Sequence, residues 1–185
     1  DDRDITGMTA WEIGTIVGSV FQNPKSQFFS SELVGEVAFG CENHGFSREA
    51  IQERTDKSIE TFSLSLIRKR PLDVLSSGEK QRVAIASVYA MRPKVFVCDE
   101  PTANLDLGGI EQLLGTLFKL KAQGYTLVIA EHRLSWLSEL ADRIIYMEKR
   151  VFLFRQKEEN QIVTYSFPVP QKITLRILMS KFLWG

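Results

Sequence analysis

The stretch Val95–Asp106, VFVCDEPTANLD, decides how this chain is read. Its apolar run, Val95-Phe96-Val97-Cys98, ends abruptly in two adjacent carboxylates, Asp99 and Glu100, and then in a turn at Pro101. A run this short suits a buried parallel strand with the acids at its C-terminal end. Open α/β sheets place their ligand chemistry at that end. In a phosphate-handling enzyme an Asp there holds Mg²⁺ through water, while a neighbouring carboxylate orients or deprotonates an attacking water. Taken alone, the pair also fits a strand that simply stops at a charged turn.

Composition bounds the alternatives. Of 185 residues, 44% are hydrophobic and 25% charged, which allows a packed core and argues against disorder. One domain, or one domain with an appendage, is the natural organisation. Lys+Arg and Asp+Glu both number 23, so no global field attracts nucleic acid, and no nucleic-acid partner is expected. The only cysteines, Cys41 and Cys98, show neither zinc spacing nor disulfide density, which suits a reducing cytoplasm. No signal-peptide pattern or membrane-length apolar run is visible. The chain opens on Asp1-Asp2-Arg3-Asp4 without Met, so an excised or incomplete piece is expected.

Outward from Val95 the pattern alternates strands and helices. Thr9-Ala10-Trp11-Glu12 has the form of a capping box, and Ile16–Phe21 reads as a strand followed by a polar loop, Gln22–Ser30. Helices are expected at about Glu32–Glu42, at Arg48–Phe62 with Ser47 as N-cap, and at Gly78–Met91 closed by Pro93. After Val95–Asp99 come a helix at Leu107–Ala122, a strand at Thr126–Ala130, a helix at Arg133–Leu140 and a strand at Arg143–Met147. This alternation predicts an α/β fold with a mostly parallel sheet. The successive helices between the first two strands predict an inserted helical lobe, at about residues 31–92.

Leu75-Ser76-Ser77-Gly78-Glu79-Lys80-Gln81 directly precedes one of these helices. Small residues at a helix mouth leave backbone N–H groups free at the positive end of the dipole, an anion seat to which serine hydroxyls add donors. A plain helix cap fits the same residues.

Together these stretches resemble the nucleotide-binding domain of ABC ATPases. Gln22 in VFQNPKSQFF corresponds to the Q-loop. Leu75–Arg82, LSSGEKQR, is similar to the family signature LSGGQ-x-QR. Val95–Glu100 is similar to the Walker B strand with its following glutamate, Asn104-Leu105-Asp106 to the D-loop, and His132 in IAEHR to the switch histidine. The match runs from Ile16 to Met147. It implies a P-loop NTPase-like fold over residues 1–150, with 151–185 an extension or linker. It also implies ATP as substrate and Mg²⁺ as cofactor. Asp99 would hold the metal through water, Glu100 would act as base or water-orienting group, and His132 would contact the γ-phosphate. Gln22 would sense metal and γ-phosphate. Asp106 would act across a dimer interface. The signature residues Ser76, Ser77, Gly78 and Glu79 would meet ATP held mainly by a second ABC ATPase domain, with Ser76 and Gly78 donating to its γ-phosphate. His44 has no such context and is expected as a solvated loop residue.

Three departures stand out. Ser77 replaces the usual Gly and Glu79 the usual Gln. A negative Glu79 should weaken anion binding unless Lys80 or Arg82 offsets it. The third is an absence: no G-x-x-x-x-G-K-S/T phosphate loop occurs in residues 1–185. N-terminal truncation of a full ATPase is the simplest expectation, with a phosphate-loop-free protein as the alternative. The chain alone is expected to bind ATP very weakly and not to hydrolyse it usefully.

VFQNPKSQFF followed by Ser30–Gly40, SSELVGEVAFG, resembles the ATPases of energy-coupling-factor importers of vitamins or metal ions. That implies a transmembrane coupling subunit and a substrate-binding membrane subunit as partners, and a place on the cytoplasmic face of the membrane. Phe28 and Phe29 would face the membrane subunit or close a small core under the lobe. A soluble ABC ATPase, or a non-catalytic partner lending its signature motif, are the alternatives. In the tail, Val151–Arg155 and Gln161–Phe167 could be strands. Lys172–Trp184 is basic and amphipathic, fitting a membrane surface, packing on the protein, or a linker.

Overall fold

Three short apolar runs form the parallel half of the sheet: β1 (Val17–Val20), β2 (Val95–Asp99) and β3 (Thr126–Ala130). A computed structural model describes residues 4–132, 136–137, 139–148, 151–156, 162–166 and 177–180. Val17 pairs with Val95 and Val95 with Thr126, so all three strands point the same way and end at one edge. Alternation along the strands buries Phe96 and Cys98 of β2, and Leu127 and Ile129 of β3, on one face. Burial pushes the Cys98 thiol up to about 12, so this cysteine is a small core hydrophobe rather than a reactive group.

The strands β4 (Arg143–Glu148), β5 (Val151–Gln156), β6 (Ile162–Ser166) and β7 (Ile177–Ser180) complete the order β1-β2-β3-β7-β4-β5-β6. β5 and β6 fall where the tail's two candidate strands were expected, and form an antiparallel meander with β4. β7 was not expected as a strand. It lies between β3 and β4 and runs antiparallel to both, so β3 and β4 are parallel to each other one strand apart. The protein is thus α/β, with a parallel half that carries the candidate site and an antiparallel half beside it. The helix expected at Arg133–Leu140 lies partly outside the described residues. Trp136, Leu137, Glu139 and Leu140 are in turns, and the Ala141 N–H donates to the Leu137 carbonyl at 2.8 Å.

Between β1 and β2 lies the helical lobe. After α1 (Ala10–Gly14), capped by Thr9 and Glu12 as its sequence predicts, come α2 (Leu33–Asn43), α3 (Arg48–Thr61) and α4 (Ser77–Ala90). Ser47 caps α3 by accepting the Ala50 N–H. α4 is the lobe's central post: Val83, Ala84, Ile85 and Ala86 are all fully buried. Side chains of its neighbours satisfy carbonyls near its C-terminal end. The Ser58 hydroxyl of α3 donates to Ala86 O at 2.5 Å, and the Cys41 thiol of α2 to Ala90 O at 3.3 Å. α5 (Leu107–Ala122) buries Leu113, Leu117 and Leu120 along one stripe and ends at Gly124, whose φ of +87° closes the helix.

His44 is not the solvated loop residue that its context suggested. It caps α2, with Nδ1 at 3.0 Å from Gly40 O, and its half-buried ring stacks on Trp11 at 5.4 Å between centroids. The local sequence gives no sign of this, because Trp11 reaches it from α1.

β1 passes so close to α4 that a Cβ on Gly18 would lie 2.2 Å from Val88 Cγ1 and 3.0 Å from Pro93 Cγ. Gly18→Ala is therefore expected to destabilise the fold by about 1–3 kcal/mol through overpacking. In urea denaturation, Val88→Ala should relieve part of that loss in the double variant, which would then be less destabilised than the sum of the singles.

Candidate functional site

The parallel register brings three candidate residues to one edge of the sheet. Gln22 follows β1, Glu100 follows β2 and His132 follows β3. Gln22 Nε2 donates to Glu100 Oε2 at 2.9 Å, and His132 Nε2 sits against Glu100 Oε1. One carboxylate thus receives a group on each oxygen from two other strand ends. Its backbone is fixed as well: the Glu100 N–H donates to Ala130 O at 2.9 Å, and the Glu100 carbonyl accepts the Ala103 N–H at 3.0 Å. Glu100 takes a left-handed φ of 39°. A non-glycine residue holds that conformation, at a cost of about 1–2 kcal/mol, only where its surroundings over-determine it.

Asp99 closes β2 with an exposed side chain. A lone hard oxygen donor at a strand tip fits Mg²⁺, which keeps several waters and takes its other ligands from substrate phosphates. Among the described residues no group of three or more His, Cys, Asp or Glu is placed to cage a metal. Asp99 is the candidate position, with Gln22 on the neighbouring Glu100, and a cation bound there would neutralise phosphate charge.

The signature stretch opens α4 as a capping box. The Ser76 hydroxyl accepts the Glu79 N–H at 3.2 Å, and the Glu79 carboxylate accepts the Ser76 N–H at 2.8 Å. Glu79 thus serves as the reciprocal half of the cap, a role that Gln could also fill. The Ser76 N–H holds its carboxyl below the ordinary carboxylate range; the Ser76 hydroxyl, Arg70 and Arg82 add to this, and partial burial opposes it. Of the two cations expected to offset Glu79, Lys80 does not. It is buried, and its Nζ donates to the carbonyls of Asp73, at 2.9 Å, and Leu75. Arg70 takes its place, 3.9 Å from Glu79 Oε1. Ser77, at the first helical position, is exposed, as is Ser76. The mouth of α4 approaches α5 closely, with a Cβ on Gly78 lying 3.6 Å from Gly109 Cα.

Asp106 caps α5, its Oδ1 accepting the Gly109 N–H at 2.8 Å, with the side chain exposed. A cavity of about 240 Å³ joins the three loops: Gln22 and Lys25 line it from the first, Ser77 and Gln81 from α4, Asn104 and Leu105 from the third. Gln81 is buried, and its Nε2 has no partner among the described residues. The cavity has room for water, which would satisfy it.

Residue types alone did not reveal three supporting side chains. Glu36, 2% exposed, accepts the N–H groups of Phe29 and Ser30 at 2.8 and 2.9 Å and so anchors the end of the Gln22–Ser30 loop. Thr102 and Glu131 are both buried and hydrogen-bonded to each other. An acid inside the quoted EVAFG stretch, and another directly before the histidine, were the available signals. Of the two phenylalanines, only Phe28 closes onto the core. Phe28 packs against the core, while Phe29 is 74% exposed and stacks on Phe39 at 4.6 Å.

Residues 1–103 match the ABC transporter family, and the chain belongs to it. It is 43% identical over 160 residues to a protein of Treponema denticola named as an ABC transporter ATP-binding protein, covering 86% of this chain and 32% of that one. It is 44% identical over 128 residues to the cobalt import ATP-binding protein CbiO of Rhodobacter capsulatus, covering 69% of this chain and 46% of the relative. Among solved structures, cbiO1 from Clostridium perfringens, part of the ABC transporter complex cbiONQ, matches with TM-score 0.72 at 32% identity. That match covers 78% of this chain and 58% of the other. A dimeric ATP-binding cassette in a post-hydrolysis state, bound to ADP and Pi, matches with TM-score 0.66 at 25% identity, over 80% and 67% of the two chains. The chain spans about a third of the length of the Treponema denticola relative.

The cap at α4 makes two expectations. Ser76→Ala should cost about 1 kcal/mol in chemical denaturation. Glu79 has a depressed folded pKa, so its stabilisation is full above the unfolded carboxyl value of about 4.3 and is lost as pH falls through the folded one. The stability gap between wild type and Glu79→Gln should therefore be present at pH 7 and close on acidification below that range.

Proposed function

We propose that this chain is the hydrolytic part of an ATP-binding subunit of an ABC-type membrane importer of the energy-coupling-factor kind. The observation that carries the reading is the convergence of Gln22 and His132 on the two oxygens of Glu100. A carboxylate held between a strand-tip amide and an imidazole can orient a water and accept its proton, with no rearrangement at the moment of reaction. Asp99, one residue before it, would hold Mg²⁺ beside the same water. Ser76, Ser77, Gly78 and Glu79 would face ATP bound mainly by a second ABC ATPase domain. There the Ser76 hydroxyl and the Gly78 N–H remain as donors, since the Ser76 N–H is taken by Glu79. Asp106 would act across that interface.

The importer assignment draws on the similarity to the cobalt import protein and to cbiO1. Exposed apolar side chains on the lobe, Phe29 at 74% and Leu66 at 97%, support contact with a transmembrane coupling subunit. A vitamin or metal ion would be the cargo, selected by a separate membrane subunit. Among the described residues no helix is long and apolar enough to cross a membrane. A peripheral position at the cytoplasmic face, held through those subunits, fits that.

Two measurements test this. Residues 1–185 alone, which hold no phosphate-loop motif, should bind ATP very weakly in titration calorimetry and show no turnover. The assembled ATPase, meaning this chain joined to whatever polypeptide supplies the loop, should hydrolyse ATP. In it, Glu100→Gln should retain ATP binding and lower kcat by at least about 100-fold. Unchanged turnover would sink the base assignment. Strong ATP binding by residues 1–185 would place the nucleotide elsewhere.

A further inference from the structure

Glu131 is a buried acid that the assignments above leave without a role. It lies between β3 and His132 and is 3% exposed. Its two oxygens serve two different loops: Oε1 accepts the Thr102 hydroxyl, and Oε2 accepts the His132 backbone N–H at 2.5 Å. Thr102 is fully buried and lies within the turn that Ala103 closes on the Glu100 carbonyl.

Position makes this bond more than a packing contact. The β2–β3 ladder ends at the Asp99–Ala130 pair, followed by a last backbone bond from the Glu100 N–H to Ala130 O. Beyond it the two chains carry Glu100 and His132 outward. The Thr102–Glu131 bond is the next link between them. A buried carboxylate is costly unless it is hydrogen-bonded, and a well-packed apolar pair would join two loops at less cost. What an apolar pair cannot supply is a directional link to the His132 N–H on one side and to the Thr102 hydroxyl on the other.

We propose that Glu131 is a positioning residue for ATP hydrolysis, acting with Thr102. It ties the turn after Glu100 to the backbone of His132, so that the carboxylate and the imidazole meet in the geometry the reaction needs. It acts through those two residues and not on the nucleotide. The inference rests on the roles given to Glu100 and His132 above. It adds that the left-handed conformation of Glu100 is maintained partly from the neighbouring strand end.

Steady-state hydrolysis by the assembled ATPase tests it, comparing wild type with Glu100→Gln, Glu131→Ala, Thr102→Val and Thr102→Ser. Glu131→Ala and Thr102→Val should each lower kcat by about 10- to 100-fold, the scale of a small misplacement of a reacting group. KM for ATP should stay within about twofold, because nucleotide contacts are untouched. Thr102→Ser keeps the hydroxyl and should recover most of the kcat lost in Thr102→Val. The double variant Glu131→Ala/Thr102→Val should be no slower than the slower single, since both cut one link. Wild-type kcat in Glu131→Ala and Thr102→Val, with Glu100→Gln inactive, overturns the proposal and leaves the Glu100 assignment standing. Wild-type kcat in Glu100→Gln overturns both. If Thr102→Ser is no better than Thr102→Val, and kcat falls only alongside the melting temperature, Glu131 is scaffold and the proposal fails.

Discussion

The parallel register of β1, β2 and β3 is the constraint on which the site depends. Because the strands point one way and end together, the residues just past their tips meet although the chain separates them widely. Gln22 and Glu100 lie 78 positions apart in sequence and 2.9 Å apart in space. A one-residue slip of β2 against β3 would turn Phe96 and Cys98 out of the core, so hydrophobic burial and the geometry of the candidate site are fixed by the same pairing. The left-handed Glu100 then aims a carboxylate back across the strand ends, where an extended residue would have carried it onward along β2.

The lobe is coupled to this edge through α4. Its N-terminal turn lines the cavity shared with Gln22 and Asn104, while its middle is buried against α2 and α3. Arg82 Nη1 donates to Gln112 Oε1 of α5 at 2.8 Å, and Glu36 of α2 grips the far end of the loop that begins at Gln22. The exposed Phe29 is thus linked to Gln22 in two ways. One runs through the Glu36 anchor and its loop, the other through α4 and the cavity.

Most of the parallel half was legible in the sequence, for a physical reason. Val95–Cys98 and Thr126–Ala130 are short apolar runs with abrupt polar ends, and Ser47 announces its helix by capping it, whereas the Asp106 cap of α5 came from the structure. Pattern fails where the partner is remote. His44 reads as a loop residue because Trp11, which stacks on it, comes from α1. β7 hides in a basic amphipathic tail because strand pairing with β3 and β4 is decided across the whole chain. In the site, the residues with chemical signatures, Asp99, Glu100 and His132, were visible. The buried side chains around it, Glu36 on the Gln22–Ser30 loop and the Thr102–Glu131 pair, were not, since a buried polar group and a surface one look alike until burial is known.

The departure at Glu79 shows how a local helix rule can reshape a binding motif. An acid at this point of an anion seat should repel phosphate through a Coulomb interaction that a partly buried setting strengthens. Here the charge is engaged at once by the Ser76 N–H and by the positive end of α4, with Arg70 and Arg82 nearby. The same bond withdraws one backbone donor from the seat. What remains is a seat with less repulsion than the bare sequence implies and fewer amides than a glycine-rich mouth would offer. Under the proposed function, phosphate contact would then lean on the Ser76 hydroxyl and the Gly78 N–H. Ser77, exposed at the first helical position, adds a hydroxyl that a glycine would lack. The amide engaged by Glu79 and the added Ser77 hydroxyl stand one residue apart at the mouth of α4, so the donors left there differ in kind from those of an all-glycine mouth.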